Sequence, residues 1–346
     1  MLVRAQTGQN TLSVQFFLRL ALVLLIASSI PTQAAKHPAG TGFVRVLNYN
    51  NCVELFNETT RVVIGHYVGG RVLSYKLNGL EALYLNPAEA DWKNADNKRK
   101  LVTAGRFDIG PEYLIPKRDV LWSGGWRFTI TGPRSVRLIS QPDASTGTQL
   151  IREFTLAETG FHLSCRQIIK NISDETKYWC HWSRTFAKHG GVAIVPLSKE
   201  ARHPNRYVMY EGRGLINARP TDPNIKRVGD FLLIQDVPKN PKLGFDSTTG
   251  WFAYQMRHDL MFVKKYRTEP NTPYNEVAGL TISIWYPKSD KVDAVELEPI
   301  GPRNVIKPGK SAEFTENWWL LENRFQKDFS EKDLGRISQR IGQLKH

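Results

Sequence analysis

Two glutamates near the end of the chain stand where a strand would meet a rigid turn. In the segment VELEP (295–299), apolar and polar residues alternate, which predicts a strand that presents Glu296 and Glu298 on one face. A carboxylate partly shielded from water at such a position could accept a proton as a general base. A solvated or salt-bridged sheet face is the competing interpretation, because exposed carboxylate pairs are common.

A histidine and an arginine occur together in the segment CHWSRT (180–185). The imidazole of His181 could donate a proton opposite a carboxylate, or it could simply be a hydrogen-bonded residue of a sheet. We expect Arg184 to share the strand face of His181, where its guanidinium could bind the hydroxyl groups or carboxylate of a ligand. A surface ion pair is the alternative for Arg184.

The elements that would position these residues are strands. Between residues 42 and 321, short β-branched and aromatic runs alternate with turn signals such as Asn78-Gly79. Many short strands at this spacing favour an all-β sandwich or barrel. Two long loops, 86–121 and 198–229, are predicted to interrupt them. The clearest predicted strands in the second half of the chain are 231–236, 251–256, 260–266, 280–286, 292–297 and 312–321.

The segments around Cys165 and Cys180 are predicted to form adjacent strands joined by a turn at 173–176. If Asn171 pairs with Lys177 in that hairpin, the two cysteines point to opposite sheet faces and cannot form a disulfide. Neither they nor Cys52 have the spacing of a metal site. Because no glycine-rich phosphate loop occurs either, we expect neither a metal nor a cofactor.

The end of the chain carries a helical pattern. Ser330 can cap a helix from about residue 331 to 343, in which Leu334, Ile337 and Ile341 recur at helical spacing. We predict that this helix packs on the sandwich. The chain is thus divided into one β-domain at 35–325 and a C-terminal helix at 326–346.

Residues 1–34 have the layout of a secretory signal peptide. Arg19 precedes an apolar run at 20–30, and Thr32-Gln33-Ala34 supplies small residues before a cleavable bond. The apolar run is too short to cross a bilayer as a stable helix. We expect the mature chain to begin near Ala35, to be exported to the periplasm or out of the cell, and to keep no stable membrane span. An uncleaved anchor is the alternative.

The chain is basic, with 47 Lys and Arg against 33 Asp and Glu and a formal net charge of +14. This charge favours anionic partners such as an acidic polysaccharide or a membrane surface, although the charges are scattered and a solubilising surface is the simpler interpretation. The densest basic run, NKRK (97–100), is short. No basic helix or aromatic-interleaved RNA motif occurs, which argues against nucleic acid. The sequence leaves the oligomeric state open.

Four stretches, taken in order, resemble the galactose mutarotase-like superfamily, which includes the aldose 1-epimerases. The resemblance is greatest to secreted bacterial members without an established activity. It implies a large antiparallel β-sandwich, or supersandwich, that holds a sugar on a concave face. The four stretches are GGRVLSYKLNGLEAL (69–83), RQIIKNISDETKYWCHWSRT (166–185), GWFAYQMRHDLMFVKKY (250–266) and the segment 295–322.

The resemblance also implies roles for individual residues. Mutarotation needs a base at the anomeric hydroxyl and an acid at the ring oxygen, and Glu298 and His181 match these two groups. Arg106, in TAGRFDIGPE, matches a substrate-binding arginine. Asp259, in RHDLMFV, resembles a sugar-binding aspartate, although a turn residue explains it as well.

The sequence departs from the family pattern at one point. Aldose epimerases carry a second histidine shortly after the substrate arginine, whereas none occurs between Arg106 and Phe161. Trp122 and Trp126 occupy that stretch, and aromatic rings bind sugar faces. Three functions remain: an isomerase of sugar anomers, a non-catalytic carbohydrate-binding protein on the same scaffold, and a lyase-like enzyme for acidic polysaccharide. The expected ligand is a monosaccharide or a glycan, acidic ones included.

Overall fold

The structure, a computed structural model, describes residues 37–89, 103–212, 215–289 and 291–345, and β-strands dominate these ranges. The predicted signal peptide (1–34) and the basic run (97–100) lie outside the described residues. The strands of the first half are β1 (Thr41–Val46), β2 (Tyr49–Phe56), β3 (Thr60–Gly65), β4 (Arg71–Leu77), β5 (Leu80–Glu81), β6 (Gly105–Gly110), β7 (Arg127–Gly132), β8 (Ser135–Ile139), β9 (Thr148–Leu156) and β10 (His162–Asn171). Those that follow are β11 (Lys177–Lys188), β12 (Val192–Pro196), β13 (Val208–Gly212), β14 (Leu215–Asn217), β15 (Ile225–Val228), β16 (Phe231–Ile234), β17 (Lys242–Phe245), β18 (Trp251–Gln255), β19 (Leu260–Tyr266), β20 (Ile282–Trp285), β21 (Ala294–Pro299), β22 (Asn304–Ile306) and β23 (Ser311–Glu322).

The strands form two antiparallel sheets packed face to face. The larger sheet has the order β1-β2-β3-β4-β6-β11-β21-β20-β17-β13-β14, with β5 paired with β4 and β22 paired with β11. The smaller sheet has the order β15-β16-β12-β18-β19-β23-β10-β9-β8-β7. The predicted all-β antiparallel sandwich is confirmed.

The hydrophobic core lies between the two sheets. Phe107 of β6 and Leu297 of β21 point into it from the larger sheet, and Phe154 of β9 and Trp318 of β23 point into it from the smaller sheet. Because side chains alternate along a strand, the sequence neighbours of Phe107 and Leu297 point away from the core. The outer face of the larger sheet therefore receives the charged residues that flank them.

A buried ion pair ties the two sheets together behind that face. Lys264 Nζ of β19 lies 3.2 Å from Glu316 Oε2 of β23, and both side chains are buried in the core. The same ammonium donates hydrogen bonds to Thr185 Oγ1 (2.7 Å) and to the backbone oxygen of Leu297 (3.1 Å). It thus fixes the side chain of Thr185 in β11 and the backbone of Leu297 in β21, the residues next to Arg184 and Glu298.

The predicted hairpin between β10 and β11 is wrong. Strand β10 pairs with β9 and β23 in the smaller sheet, whereas β11 pairs with β6, β21 and β22 in the larger sheet. The linker crosses between sheets because Asn171 Nδ2 donates to the backbone oxygens of Glu175 and Ile306, both at 2.7 Å. Cys165 and Cys180 are free and buried, as is Cys52. The prediction that Cys165 and Cys180 form no disulfide is confirmed. The predicted reason is wrong, because the two cysteines lie in different sheets and not on opposite faces of one hairpin.

The two predicted loops also contain regular structure. Segment 86–121 includes β6 and the start of helix α1 (Asp119–Ser123), and segment 198–229 includes β13, β14 and β15. In β6 the outward residues are charged and buried, so the strand lacks the apolar alternation by which sequence reasoning finds strands. The prediction of unstructured loops at these positions is therefore wrong.

The C-terminal helix α2 (Glu331–Gly342) is confirmed. Ser330 forms a capping box with Asp333, which satisfies backbone donors of the first turn. Leu334, Ile337 and Ile341 are buried and pack on residues of the smaller sheet such as Trp319. Neither described α-helix is long and apolar enough to cross a membrane.

Candidate functional site

The strand register places charged side chains together on the outer face of the larger sheet. Arg184 of β11 lies opposite Arg106 of β6, and the next outward position of β11 lies opposite Glu296 of β21. Glu298 lies opposite Ser283 of β20. Directly opposed residues of paired strands share a face, so these side chains converge although they lie far apart in sequence.

Eight charged residues of the described chain, joined by six ion pairs, lie together there, and we call them the charged cluster. They come from the larger sheet and from the segment between β6 and α1. The charged cluster consists of Arg106, Asp108, Glu112, Arg118, Arg184, Lys242, Glu296 and Glu298.

Arg184 lies at the centre of the charged cluster. Its NH1 is 3.2 Å from Glu298 Oε1, its Nε is 3.2 Å from Asp108 Oδ2, and its NH2 is 3.4 Å from Glu112 Oε1. Arg118 binds the same Asp108 through two hydrogen bonds of 2.6 Å, which is the fork geometry preferred by guanidinium and carboxylate. One guanidinium therefore holds three carboxylates in fixed positions.

Two tryptophans cover the guanidinium groups. The Arg106 guanidinium carbon lies 3.6 Å from the centre of the Trp122 ring, and the Arg184 guanidinium carbon lies 4.4 Å from the centre of the Trp182 ring. Trp182 Nε1 donates to Glu298 Oε1 at 3.0 Å. Cation–π stacking and this hydrogen bond fix the positions of Arg106, Arg184 and Glu298.

Burial increases from the rim of the charged cluster to its base. The side chains of Glu112 and Lys242 are 26% and 16% exposed, whereas the Glu298 side chain is 0% exposed. Glu112 and Lys242 form an ion pair with each other, and Glu112 also reaches Arg184. A row of alternating charges thus leads from the partly exposed Lys242 and Glu112 through Arg184 to the buried Glu298.

Three buried polar atoms around Glu298 form no hydrogen bond within the described residues. They are the second carboxylate oxygen (Oε2) of Glu298, the Oγ of Ser283 and the hydroxyl of Tyr210. The ammonium of Lys242 lies between Trp182 and Tyr210, 5.2 Å and 4.9 Å from the ring centres. Leaving a buried polar atom without a hydrogen bond raises the free energy of the folded protein. The three oxygens are therefore suited to exchange hydrogen bonds with the hydroxyl groups of a ligand.

One of the two glutamates of β21, Glu296, does not titrate normally. Burial, and then the charge of Glu298, raise the pKa of Glu296 to about 8. Burial opposes ionisation of Asp108 and Glu112 too, but neighbouring cations outweigh it. Arg118 and Arg184 lower the pKa of Asp108 to about 2, and Arg184 and Lys242 lower that of Glu112 to about 2.

Protonation of Glu296 at neutral pH unbalances the charged cluster. Arg106, Arg118, Arg184 and Lys242 then face the three other carboxylates. The four cationic side chains favour a ligand with an acidic group. Among the described residues, no group of three or more His, Cys, Asp and Glu side chains is arranged to hold a metal ion.

His181 does not face Glu298, and the predicted pairing is wrong. It points into the core, where its ring stacks on Phe107 (5.5 Å) and Phe314 (5.7 Å). Burial lowers the pKa of His181 to about 3. The predicted common face for His181 and Arg184 is also wrong, because residues three apart in a strand point to opposite faces.

Trp126 and Asp259 lie outside the charged cluster. Trp126 is a core residue that packs on Gly70, and its Nε1 donates to the backbone oxygen of Leu121. Asp259 lies in the β18–β19 turn with φ 61°, and its Oδ1 accepts a 2.7 Å hydrogen bond from the backbone of Phe325. This geometry agrees with the alternative that Asp259 is a turn residue and does not bind a sugar.

The structure brings together four of the predicted site residues, namely Glu298, Arg106, Arg184 and Trp122. Sequence reasoning missed Lys242, Arg118 and Trp182. Trp182 stands two residues before Arg184, so strand alternation would have placed both on one face. No local pattern marks Lys242, which meets Glu112 across 130 residues of chain.

Comparison with solved structures identifies the fold. A galactose mutarotase-like protein from Lactobacillus casei superposes with a TM-score of 0.56 at 11% identity, over 78% of this chain and 100% of that one. One from Clostridium acetobutylicum gives 0.56 at 10% identity, over 82% and 99%. A structure from Escherichia coli K12 that is provisionally named an aldose 1-epimerase gives 0.55 at 12% identity, over 78% and 98%.

These likenesses show that the chain has the galactose mutarotase-like fold, in agreement with the sequence resemblance. No protein-family model matches the sequence, and no curated protein matches it significantly. A shared fold does not determine function, which depends on the side chains of the site.

Proposed function

We propose that the protein binds a carbohydrate at the charged cluster, and that the carbohydrate carries an acidic group. The observation that supports this most is the set of unpaired buried oxygens on Glu298, Ser283 and Tyr210, beside the guanidinium of Arg184. Hydroxyl groups of a sugar can donate to the carboxylate and exchange hydrogen bonds with the two side-chain hydroxyls. Arg184 and Lys242 supply the positive charge for an acidic substituent.

The position of His181 favours binding over mutarotation by the predicted pair. A general acid has to come within hydrogen-bond reach of the atom it protonates, and His181 lies on the core side of β11. Glu298 thus lacks the partner that the family mechanism would give it. A lyase-like reaction gains no support from Tyr210, because burial and the neighbouring carboxylates of Glu276 and Glu298 raise the pKa of its hydroxyl and so oppose its action as a base.

A second function is favoured by Glu296. Its raised pKa, about 8, keeps it protonated at neutral pH, two residues from Glu298 on the same face. A carboxyl group that stays protonated at neutral pH can serve as a general acid next to a second carboxyl group. In that case Glu296 would protonate the ring oxygen of a sugar while Glu298 accepts the proton of the anomeric hydroxyl.

A glycan array of the full chain tests the proposal. We expect binding of acidic glycans by the wild type and its loss in Glu298→Gln and Arg184→Gln, with Asp259→Asn as a control outside the charged cluster. Thermal unfolding identifies any variant that fails to fold, and Ser283→Ala, which removes only one hydroxyl, then serves as the milder probe. If folded Glu298→Gln and Ser283→Ala both keep the glycan affinity of the wild type, the charged cluster is not the binding site.

Anomer exchange separates the two functions. Wild-type protein is added to a free sugar that the array identifies, and interconversion of its α and β forms is followed by NMR. Acceleration that disappears in Glu296→Gln supports the Glu296–Glu298 pair. Binding without acceleration supports a carbohydrate-binding protein.

Export is part of the same proposal. The signal peptide predicted at 1–34 would bring the protein to the periplasm or outside the cell, where acidic polysaccharides occur. N-terminal sequencing of the protein from fractionated cells is the test. We expect a mature N-terminus near Ala35, and an intact Met1 in the cytoplasmic fraction would contradict export.

A further inference from the structure

A cavity of about 460 Å³ opens next to the charged cluster. It lies where β11 begins, between the segment that follows β6 and the loop that precedes β20. Its lining includes Pro111, Leu114, Tyr178, Trp179, Asn275 and Arg303.

The cavity and the charged cluster share chain segments. Pro111 and Leu114 flank Glu112, the rim residue of the cluster. Asn275 precedes Glu276, whose Oε2 accepts a 2.9 Å hydrogen bond from the backbone of Glu112. The cavity therefore adjoins the rim of the charged cluster at Glu112.

Tyr178 lies on the same strand face as Arg184. Both are even-numbered residues of β11, and the intervening residues on that face include Trp182. Six residues of strand separate them, which corresponds to about 20 Å. A monosaccharide is too short to contact both residues, whereas an oligosaccharide of several units can do so.

The cavity has the chemistry of a sugar subsite. Tyr178 is 54% exposed and presents an aromatic ring beside the exposed Leu114. The exposed guanidinium of Arg303 forms no ion pair or hydrogen bond within the described part of the chain. An aromatic ring with an available guanidinium suits a sugar ring that carries a carboxylate.

We propose that this cavity is a second subsite, which binds a further unit of the acidic glycan held at the charged cluster. The protein would accordingly recognise acidic oligosaccharides better than single acidic sugars. The inference rests on the proposed function, since it assigns the substrate class to the same binding surface.

The test is a titration of the full chain with galacturonate and with oligogalacturonates of two, four and six units. For the wild type we expect affinity to rise with chain length. Arg303→Gln removes one charged hydrogen-bond donor, and Tyr178→Ala removes one aromatic contact of comparable strength. Each substitution should lower the affinity for the hexamer about tenfold. Affinity for the monomer should not change.

Two variants are matched controls. Arg324→Gln removes an exposed arginine after β23, and Phe43→Ala removes an exposed aromatic ring from β1 at the far edge of the larger sheet. Neither should alter hexamer affinity. All four positions are at least partly exposed, so the variants should fold like the wild type.

The outcomes are distinguishable. If wild type gains no affinity with length, or if Tyr178→Ala and Arg303→Gln bind the hexamer normally, the second subsite is refuted while binding at the charged cluster stands. If the protein binds only neutral glycans on the array, the acidic class is refuted. If Tyr178→Ala instead changes the oligomeric state in sedimentation experiments, the cavity is a contact between copies of the chain, and the subsite is refuted. If no glycan binds at all, the proposed function itself fails.

Discussion

Arg184 NH1 and Glu298 Oε1 lie 3.2 Å apart on the outer face of the larger sheet, and both side chains are buried. Burying two opposite charges is costly unless hydrogen bonds and further charges compensate. Here Trp182 donates to the same carboxylate, and Asp108 and Glu112 contact the same guanidinium. In this arrangement Glu298 Oε2 forms no hydrogen bond within the described chain.

Removing Arg184 should destabilise the protein strongly. Arg184→Ala leaves the carboxylates of Asp108 and Glu298 buried without their shared partner, and breaking a buried ion pair costs about 3–5 kcal/mol. Chemical denaturation of wild type and variant measures this difference. The control Arg324→Ala removes an exposed arginine and should change the free energy of unfolding by less than about 0.5 kcal/mol. Equal changes in the free energy of unfolding for the two substitutions would show that the ion pairs of Arg184 do not stabilise the fold.

Stability should depend on pH through Glu296. Its pKa is about 8 in the folded chain and 4.5 as an ordinary carboxyl group, so the folded state favours the protonated form. The stabilisation is complete below pH 4.5 and is lost as the pH rises through 8. Glu296→Gln cannot ionise, so its melting temperature relative to that of the wild type should rise between pH 5 and pH 9.

The matched control is Glu200→Gln, which changes an exposed glutamate. Its melting temperature should follow that of the wild type across the same pH range. Asp108 and Glu112 act in the opposite direction, because their pKa values are lowered to about 2 and their stabilisation is lost as the pH falls toward that value. A Glu296→Gln curve parallel to the wild-type curve would contradict the raised pKa.

Replacing His181 should leave carbohydrate binding intact. The imidazole is stacked between Phe107 and Phe314 in the core, so His181→Phe substitutes one planar ring for another. We expect a change in stability of less than about 1.5 kcal/mol, as for other core substitutions of similar volume. Glycan affinity and any anomer exchange, measured as above, should be unchanged. Loss of anomer exchange in a stably folded His181→Phe would restore His181 as the catalytic acid.

Helix α2 should contribute stability and no binding. Leu334 is fully buried against the smaller sheet, and Leu334→Ala should cost about 2–5 kcal/mol in the free energy of unfolding. Gln339→Ala, on the exposed side of the helix, is the control and should have little effect. Glycan affinity should be equal in both folded variants, because α2 covers the face of the sandwich that is remote from the charged cluster. Weaker binding by folded Leu334→Ala would contradict this separation.

Much of the fold could be predicted from local sequence patterns. The later strands and α2 carry clear apolar periodicity and a capping residue, and the structure confirms them. Strand β6 was missed because its outward residues, Arg106 and Asp108, are charged and yet buried. Burial of those charges depends on partners such as Arg118 and Glu296, which the local pattern does not reveal.

The site could be predicted only in part, because it depends on which strands become neighbours. Alternation within β21 correctly placed Glu296 and Glu298 on one face. The hairpin assumed between β10 and β11 was wrong because the hydrogen bonds of Asn171 direct the chain into the other sheet. The contact between Lys242 and Glu112 follows from the sheet order, which no spacing in the sequence encodes.

The central claim is that an acidic carbohydrate binds at the charged cluster on the outer face of the larger sheet. The most direct test is a crystal structure of the protein with the acidic glycan that binds most tightly on the array. We expect one sugar unit within hydrogen-bond distance of Glu298 Oε2 and Ser283 Oγ, with its acidic group on Arg184 or Lys242. A glycan bound at any site that leaves Glu298 and Arg184 without contact would contradict the claim.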